Sequence, residues 1–306
     1  MFRAYAIDLS EIRSLIENET AQSIYDELKT ETIKETLKKI LSAKTPFLDS
    51  DELCNLFFPV QNCPVFLSHS GQNKKEVEQF AQWLKKHFEI NSFVDSDLWG
   101  CVKDLQQSLD YNFCRIDPST YKHIDINDTR LGKRTTYSYS ERNISTAHVH
   151  MMLCHALTQM IDVAECFIFI KSSESYGLEN GIDGTFSSWI FHELATVDTI
   201  RTNSSRKTLP SDVPLETYSR ICEKVDGMPK VFYPIALKRP FLLKKTDLNR
   251  WQSQNFEPHE EDCHVEGILE YYNLNNKKTT KAIAKPKEKW EKALNWLYQN
   301  CHSKRR

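Results

Sequence analysis

Ser68, His69 and Ser70 follow the apolar run Val65-Phe-Leu, Asp95 follows Phe93-Val94, and Ser172 and Ser173 follow Cys166-Phe-Ile-Phe-Ile-Lys171. Hydroxyls, an imidazole and a carboxylate placed where strands stop are groups able to hydrogen-bond a polar ligand. Farther on, Trp189 and Glu193 stand at i and i+4, which puts an aromatic wall and a carboxylate on one face of a helix. His192-Glu193 also opens like the His-Glu-x-x-His helix of zinc peptidases, but residue 196 is a threonine, so the second zinc ligand is missing. His148, His150, Cys154 and His155 cluster in sequence, yet on a helix His148, Cys154 and His155 do not share a face. These residues, and the smaller group His259, Cys263 and His264, are expected to be ordinary core or surface side chains, with no metal bound.

Positioning such groups takes a scaffold, and the hydrophobic pattern supplies one. The short run Cys63 to Ser68 reads as a buried strand, and Val77, Phe80, Ala81, Leu84 and Phe88 behind it form one apolar face of a helix. Ser92 to Asp95 reads as a second strand, and Asp97 to Leu109 as a second helix. Residues 113 to 144 read as a long loop or insertion, with Asp117-Pro118, Asn127-Asp128 and Gly132 as breakers. Val149, Met152, Leu153, Ala156, Leu157, Met160 and Ile161 then form a clear helical stripe from Ser145, ending at the strand Cys166 to Lys171. Ser187 and Ser188 are cap candidates for the helix bearing Glu193. Val231 to Ala236 reads as a further strand, with Pro234 against an interior place in any ladder. Pro286 to Cys301 reads as the last helix, facing inward through Trp290, Ala293, Leu294, Leu297 and Tyr298.

At the start of the chain, a β-type run at Phe2 to Ile7 precedes a Glu- and Lys-rich stretch with a helical stripe from Ile24 to Leu41. We expect residues 1–60 to be a helical N-terminal extension and residues 61–306 an α/β domain with insertions near 101–144 and 238–285. Strands alternating with amphipathic helices imply a mostly parallel central sheet covered on both faces. Ligands of such sheets sit beyond the carboxyl ends of the strands. That gathers Ser68, His69, Ser70, Asp95, Ser172 and Ser173 on one rim, with Glu193 close by.

Composition excludes several classes. With eight glycines the chain has neither a GxxxxGK[ST] phosphate loop nor a GxGxxG dinucleotide turn, so the ATPase and Rossmann dehydrogenase readings lose their support. A net charge of −2 with interspersed signs gives no field to draw in nucleic acid. The longest apolar stretches fall far short of a membrane span, and residues 1 to 30 lack the apolar core of a signal peptide. Nine cysteines occur with no CxxC pair and are expected to be reduced thiols. A cytoplasmic protein is expected.

The order of Phe66-Leu-Ser68-His69-Ser70, an amphipathic helix, Phe93-Val94-Asp95, a second helix, Phe167-Ile-Phe-Ile-Lys-Ser172-Ser173 and Ser188-Trp189-Ile-Phe-His-Glu193-Leu194 resembles a TIR (Toll/interleukin-1 receptor) domain. In that family the first strand ends in Phe-x-Ser-(His/Tyr), a short strand ends in Asp, a later strand ends in Ser, and a Ser-x-Trp-x-x-x-Glu-Leu helix follows. Residues 1–60 and 238–285 have no counterpart in the pattern, and the segment from 101 to 144 is longer than in a minimal TIR domain.

The resemblance implies a flavodoxin-like TIR fold and one of two functions. Enzymatic TIR domains cleave or cyclise NAD⁺, and their catalytic Glu four residues after a Trp maps here to Glu193 and Trp189. NAD⁺ would then be substrate, with no resident cofactor. Ser68, His69, Ser70 and Asp95 would contact its ribose or phosphates, and Phe66 or Trp189 an aromatic ring. Cleavage of the nicotinamide–ribose bond passes through an oxocarbenium-like state that a carboxylate stabilises, and nicotinamide leaves as a neutral molecule without a general acid. Standalone TIR proteins with extra segments resemble parts of bacterial antiphage systems such as Thoeris. That likeness implies self-assembly with other TIR domains and a downstream effector that senses the product. The other function is a non-enzymatic TIR interaction module. A related α/β enzyme of the nucleoside deoxyribosyltransferase kind, which also sets a glutamate against an anomeric carbon, is a third reading.

Overall fold

The computed structural model describes residues 3–21, 39, 49–58, 63–115, 137–179, 182–200, 233–235, 240–257, 263–272, 278–286 and 288–301. In chain order the strands are β1 (Arg3–Asp8), β2 (Val65–Ser68), β3 (Ser92–Val94), β4 (Cys166–Lys171), β5 (Gly177–Glu179), β6 (Ile182–Thr185), β7 (Tyr233–Pro234), β8 (Phe241–Leu243), β9 (Cys263–Tyr272) and β10 (Lys278–Pro286). The α-helices are α1 (Leu9–Ile16), α2 (Ser50–Phe57), α3 (Lys74–Phe88), α4 (Leu98–Leu109), α5 (Tyr139–Val163), α6 (Ser188–Thr199), α7 (Lys245–Gln252) and α8 (Lys289–Asn300).

Five strands form the central sheet in the order β3-β2-β4-β1-β8, and every pairing in it is parallel. Parallel strands need crossovers, and helices on both faces turn the strands into nearly unbroken apolar runs. β2 is buried throughout, and so is β4 up to Ile170. Side chains alternate between two cores. Ala4, Ala6, Phe66, Phe93, Phe167 and Phe169 face a core closed by α2, α5, α6 and Leu105 and Leu109 of α4. Tyr5, Ile7, Val65, Leu67, Val94, Ile168 and Ile170 face the opposite core, closed by α1, α3, α7 and α8. This is the expected α/β architecture, a mostly parallel sheet flanked by helices and consistent with a flavodoxin-like fold.

The strand order departs from chain order in one respect. A flavodoxin-like sheet runs 2-1-3-4-5. β3, β2 and β4 occupy the places of strands 2, 1 and 3, but the fourth place is filled by the N-terminal β1 and the fifth by β8. The start of the chain is therefore no extension: β1 pairs with β4 on one side and β8 on the other. α1 buries Leu9, Ile12 and Ile16 behind it. The stripe from Ile24 to Leu41 lies, apart from Lys39, outside the described residues. The segment 238–285 likewise supplies β8 to the central sheet, and β9 and β10 pair as a separate two-stranded antiparallel sheet.

α5 begins at Tyr139, inside the stretch read as loop. Ser138 caps it by accepting a hydrogen bond from the Glu141 N–H. Between α4 and α5, Asp110–Cys114 forms a π-helical turn. Buried Asp110 there accepts hydrogen bonds from Gln106 Nε2, Ser145 Oγ and Arg142 Nε at 2.7–2.9 Å. β7 is an edge strand of the small sheet β5-β6-β7, which is where Pro234 can be tolerated. Among the described residues no helix is long and apolar enough to cross a membrane.

Candidate functional site

Parallel strands end on one edge, so β2, β3 and β4 deliver Ser68, Asp95 and Ser172 to the same rim of the sheet. β2 leads through α3 to β3 on one side, while β4 lies on its other side. The gap between β2 and β4 is thus the topological switch point, the usual ligand crevice of open α/β sheets. α6 starts from this rim. Ser187 Oγ caps it by accepting from the Ile190 N–H at 3.3 Å, and Thr185 Oγ1 in turn accepts from the Ser187 N–H at 3.0 Å. Ile190, Leu194 and Val197 anchor the helix in the core, and Glu193 falls on the same buried face because it sits three residues after Ile190.

Two neighbouring residues at the end of β2 each hold a carboxyl group. Ser68 Oγ donates to Glu193 Oε2 at 2.5 Å. His69 Nδ1 pairs with Asp95 Oδ1 at 2.5 Å, and Asp95 Oδ1 also accepts the Ser96 N–H at 2.7 Å. Ser68 and Glu193 are 0% exposed, and His69 and Asp95 are 3% exposed. The second oxygen of Glu193, Oε1, is buried with no hydrogen-bond partner. Burial drives the Glu193 pKa well above the ordinary carboxylate range, and Asp95 adds to the rise through its negative charge and through its contact with the Glu193 carboxyl; the Ser68 hydrogen bond opposes these and is outweighed. The buried setting therefore favours the protonated, neutral form of Glu193 over the carboxylate.

The other expected site residues have different places. Phe66 is a core residue, fully buried, with its ring stacked on Phe167 at 5.5 Å and tilted against Phe93 at 5.1 Å. It points to the same face as Ser68 but two residues deeper, which leaves no surface for a ligand ring. Ser70 caps the 3₁₀ turn Gly71–Asn73, its Oγ accepting from the Gln72 N–H at 3.4 Å. Trp189 is half-buried, edge-on to His150 of α5 at 5.4 Å. His192 turns toward α5 as well, within hydrogen-bonding distance of the Cys154 carbonyl and Thr158 Oγ1. Burial lowers its pKa, so it is neutral there.

Asn73 and Ser175 carried no chemical signal in the sequence, and Cys154 carried one only as a metal-ligand candidate. Buried Asn73 accepts from Ser172 Oγ at 2.7 Å, and buried Ser175 accepts from the Ser172 N–H at 2.7 Å, which ties the loop after β2 to the loop after β4. The Cys154 thiol on α5 lies within electrostatic reach of Glu193; burial first, then that charge, pushes its pKa up to about 11. Among the described residues no group of three or more His, Cys, Asp or Glu side chains is placed to hold a metal ion. His259 lies outside the described residues, as do the side chains of Cys263 and His264.

The arrangement can stabilise positive charge: a carboxyl group at a switch point, one oxygen fixed by a serine and the other with no donor to hold it, loses its proton when a cation replaces the missing compensation. Comparison with protein-family models, with curated proteins and with solved structures finds no match, so the site's own geometry carries the functional reading.

Proposed function

We propose that the chain is a TIR-type NAD⁺ glycohydrolase or cyclase in which Glu193 is the catalytic carboxylate. The observation that supports this most is Glu193 Oε1, buried at the switch point beside Ser68 with no donor to hold it. The positive nicotinamide ring and the oxocarbenium-like ribose that follows it are the partners such an oxygen lacks. As the C–N bond breaks, its electron pair goes to the ring nitrogen and nicotinamide departs neutral. The ribosyl carbon is then taken by water, giving ADP-ribose, or by an adenine nitrogen, giving a cyclic product. Because Glu193 is sealed, the rim has to part before ribose can reach it, and assembly with further copies is the proposed trigger. The proposal extends to a cytoplasmic role in bacterial antiphage immunity, with a downstream effector sensing the product.

The sealing of Glu193 is also the observation that favours the second reading, a TIR interaction module in which this glutamate is a buried structural residue. Purified protein at high concentration with a crowding agent, given NAD⁺ and followed for nicotinamide release, separates the two. Release that disappears in both Glu193→Ala and Glu193→Gln supports the enzyme. No release from the wild-type protein, even when assembled, moves the assignment to the interaction module.

A further inference from the structure

The His69–Asp95 pair has a second consequence for the site, resting on the reading of Glu193 as the catalytic carboxylate. We infer that Asp95 and His69 are positioning residues that set when Glu193 carries its negative charge, Asp95 holding it neutral and His69 limiting how strongly Asp95 does so.

Ser68 and His69 are consecutive, and each grips one carboxyl group, so Glu193 and Asp95 are brought to the same buried place from α6 and from the end of β3. A protonated His69 imidazole can neutralise one carboxylate, and the 2.5 Å contact assigns it to Asp95. A second negative charge beside the first, with no water to screen it, is unfavourable. The remaining groups around Glu193 do not change this balance. Ser68 is neutral, the Cys154 thiol stays protonated, and neutral His192 is bonded away toward α5.

A cation entering between the strands supplies the missing positive charge, Glu193 releases its proton to solvent, and the carboxylate forms where ribosyl charge will develop. A neutral riboside cannot drive that ionisation. The pair thereby makes the appearance of the catalytic charge depend on the charge of the bound ring.

The test is the pH dependence of the Glu193 carboxyl, read by infrared spectroscopy as a protonated C=O band assigned by its loss in Glu193→Gln, alongside the pH profile of nicotinamide release. In the wild-type protein the band is present at neutral pH. Asp95→Asn removes the like charge and shifts its titration to lower pH by about one to three units. His69→Gln leaves Asp95 uncompensated and shifts it to higher pH. The acid limb of nicotinamide release moves in the same two directions. Opposite shifts are the signature, since a purely structural role for either residue would weaken both variants without separating their pH profiles. If Asp95→Asn does not fold, the upward shift in His69→Gln carries the test. A band absent at neutral pH, or titrating alike in all foldable variants, overturns the inference. Infrared shifts without any nicotinamide release overturn the enzymatic reading and leave the electrostatic role of the pair standing.

Discussion

Phe66 and Ser68 lie two residues apart on the same face of β2 and do unlike work: the first stacks on Phe167 inside the core, and the second holds Glu193 at the rim. Strand alternation explains both, since one step along a face separates a position under α5 and α6 from a position at the strand's end. Phe66→Ala is expected to cost about 3–5 kcal/mol of stability, as large-to-small changes in a packed aromatic core do. Phe66→Leu, which keeps most of the volume, should melt earlier than wild type while leaving the KM of the proposed NAD⁺ cleavage unchanged. A raised KM at unchanged stability would restore Phe66 to the ligand site.

The protonation of Glu193 makes a prediction about stability. Its folded pKa is raised, whereas in the unfolded chain it titrates near about 4.3. Its contribution is fully present below that unfolded value and is lost as pH rises toward the folded one, because the native state keeps a proton that the unfolded state has released. Urea unfolding of wild type and Glu193→Gln should therefore agree below pH 4 or so and diverge above it. The divergence favours the variant by up to about 1.36 kcal/mol per pH unit within the window. Parallel curves would mean that Glu193 is ionised in the folded protein.

Asp110 offers a control away from the rim. Its carboxylate gathers Gln106, Ser145 and Arg142 at the junction of α4 and α5, and no bond of that network reaches Ser68, His69, Asp95 or Glu193. Asp110→Ala should lower stability by about 1–3 kcal/mol, the range for stranding hydrogen-bonding groups. Nicotinamide release per folded molecule should be unchanged. A selective loss of activity would place this junction in the mechanism.

The role of β1 can be tested by removal. A chain beginning at residue 61 keeps the whole segment that resembles a TIR domain, but it lacks the strand between β4 and β8. It should be insoluble or lack cooperative unfolding. A cooperative melt from that shortened chain would mean that the first sixty residues are dispensable after all.

Much of the site was legible because each of its pieces follows a local rule. The apolar runs before Ser68, Asp95 and Ser172 mark strand ends, and Ser187 marks the start of the helix that carries Glu193. Neighbour choice in a sheet is not local. Arg3 to Asp8 reads as a strand, but nothing in those six residues says that Cys166 to Lys171 lie beside them. Asn73 carries no local signal for the same reason, since its partner Ser172 is distant in sequence. The early start of α5 did have a signal, the Ser138-x-x-Glu141 pattern of a capping box, masked by the Tyr- and Ser-rich composition around it.

β1 also governs the order of events when the chain is made. It precedes all its neighbours in the chain, yet Tyr5 pairs with Phe241 and donates its hydroxyl to the carbonyl of Leu297, 292 positions along. Contacts of such separation slow folding, because the entropy of closing the loop is lost before any contact rewards it. The first strand can meet its β4 neighbour only once Lys171 has been made, and its β8 neighbour only once Leu243 has followed. The rim that seals Glu193 rests on that same sheet, so its closure depends on segments far apart in the chain having met.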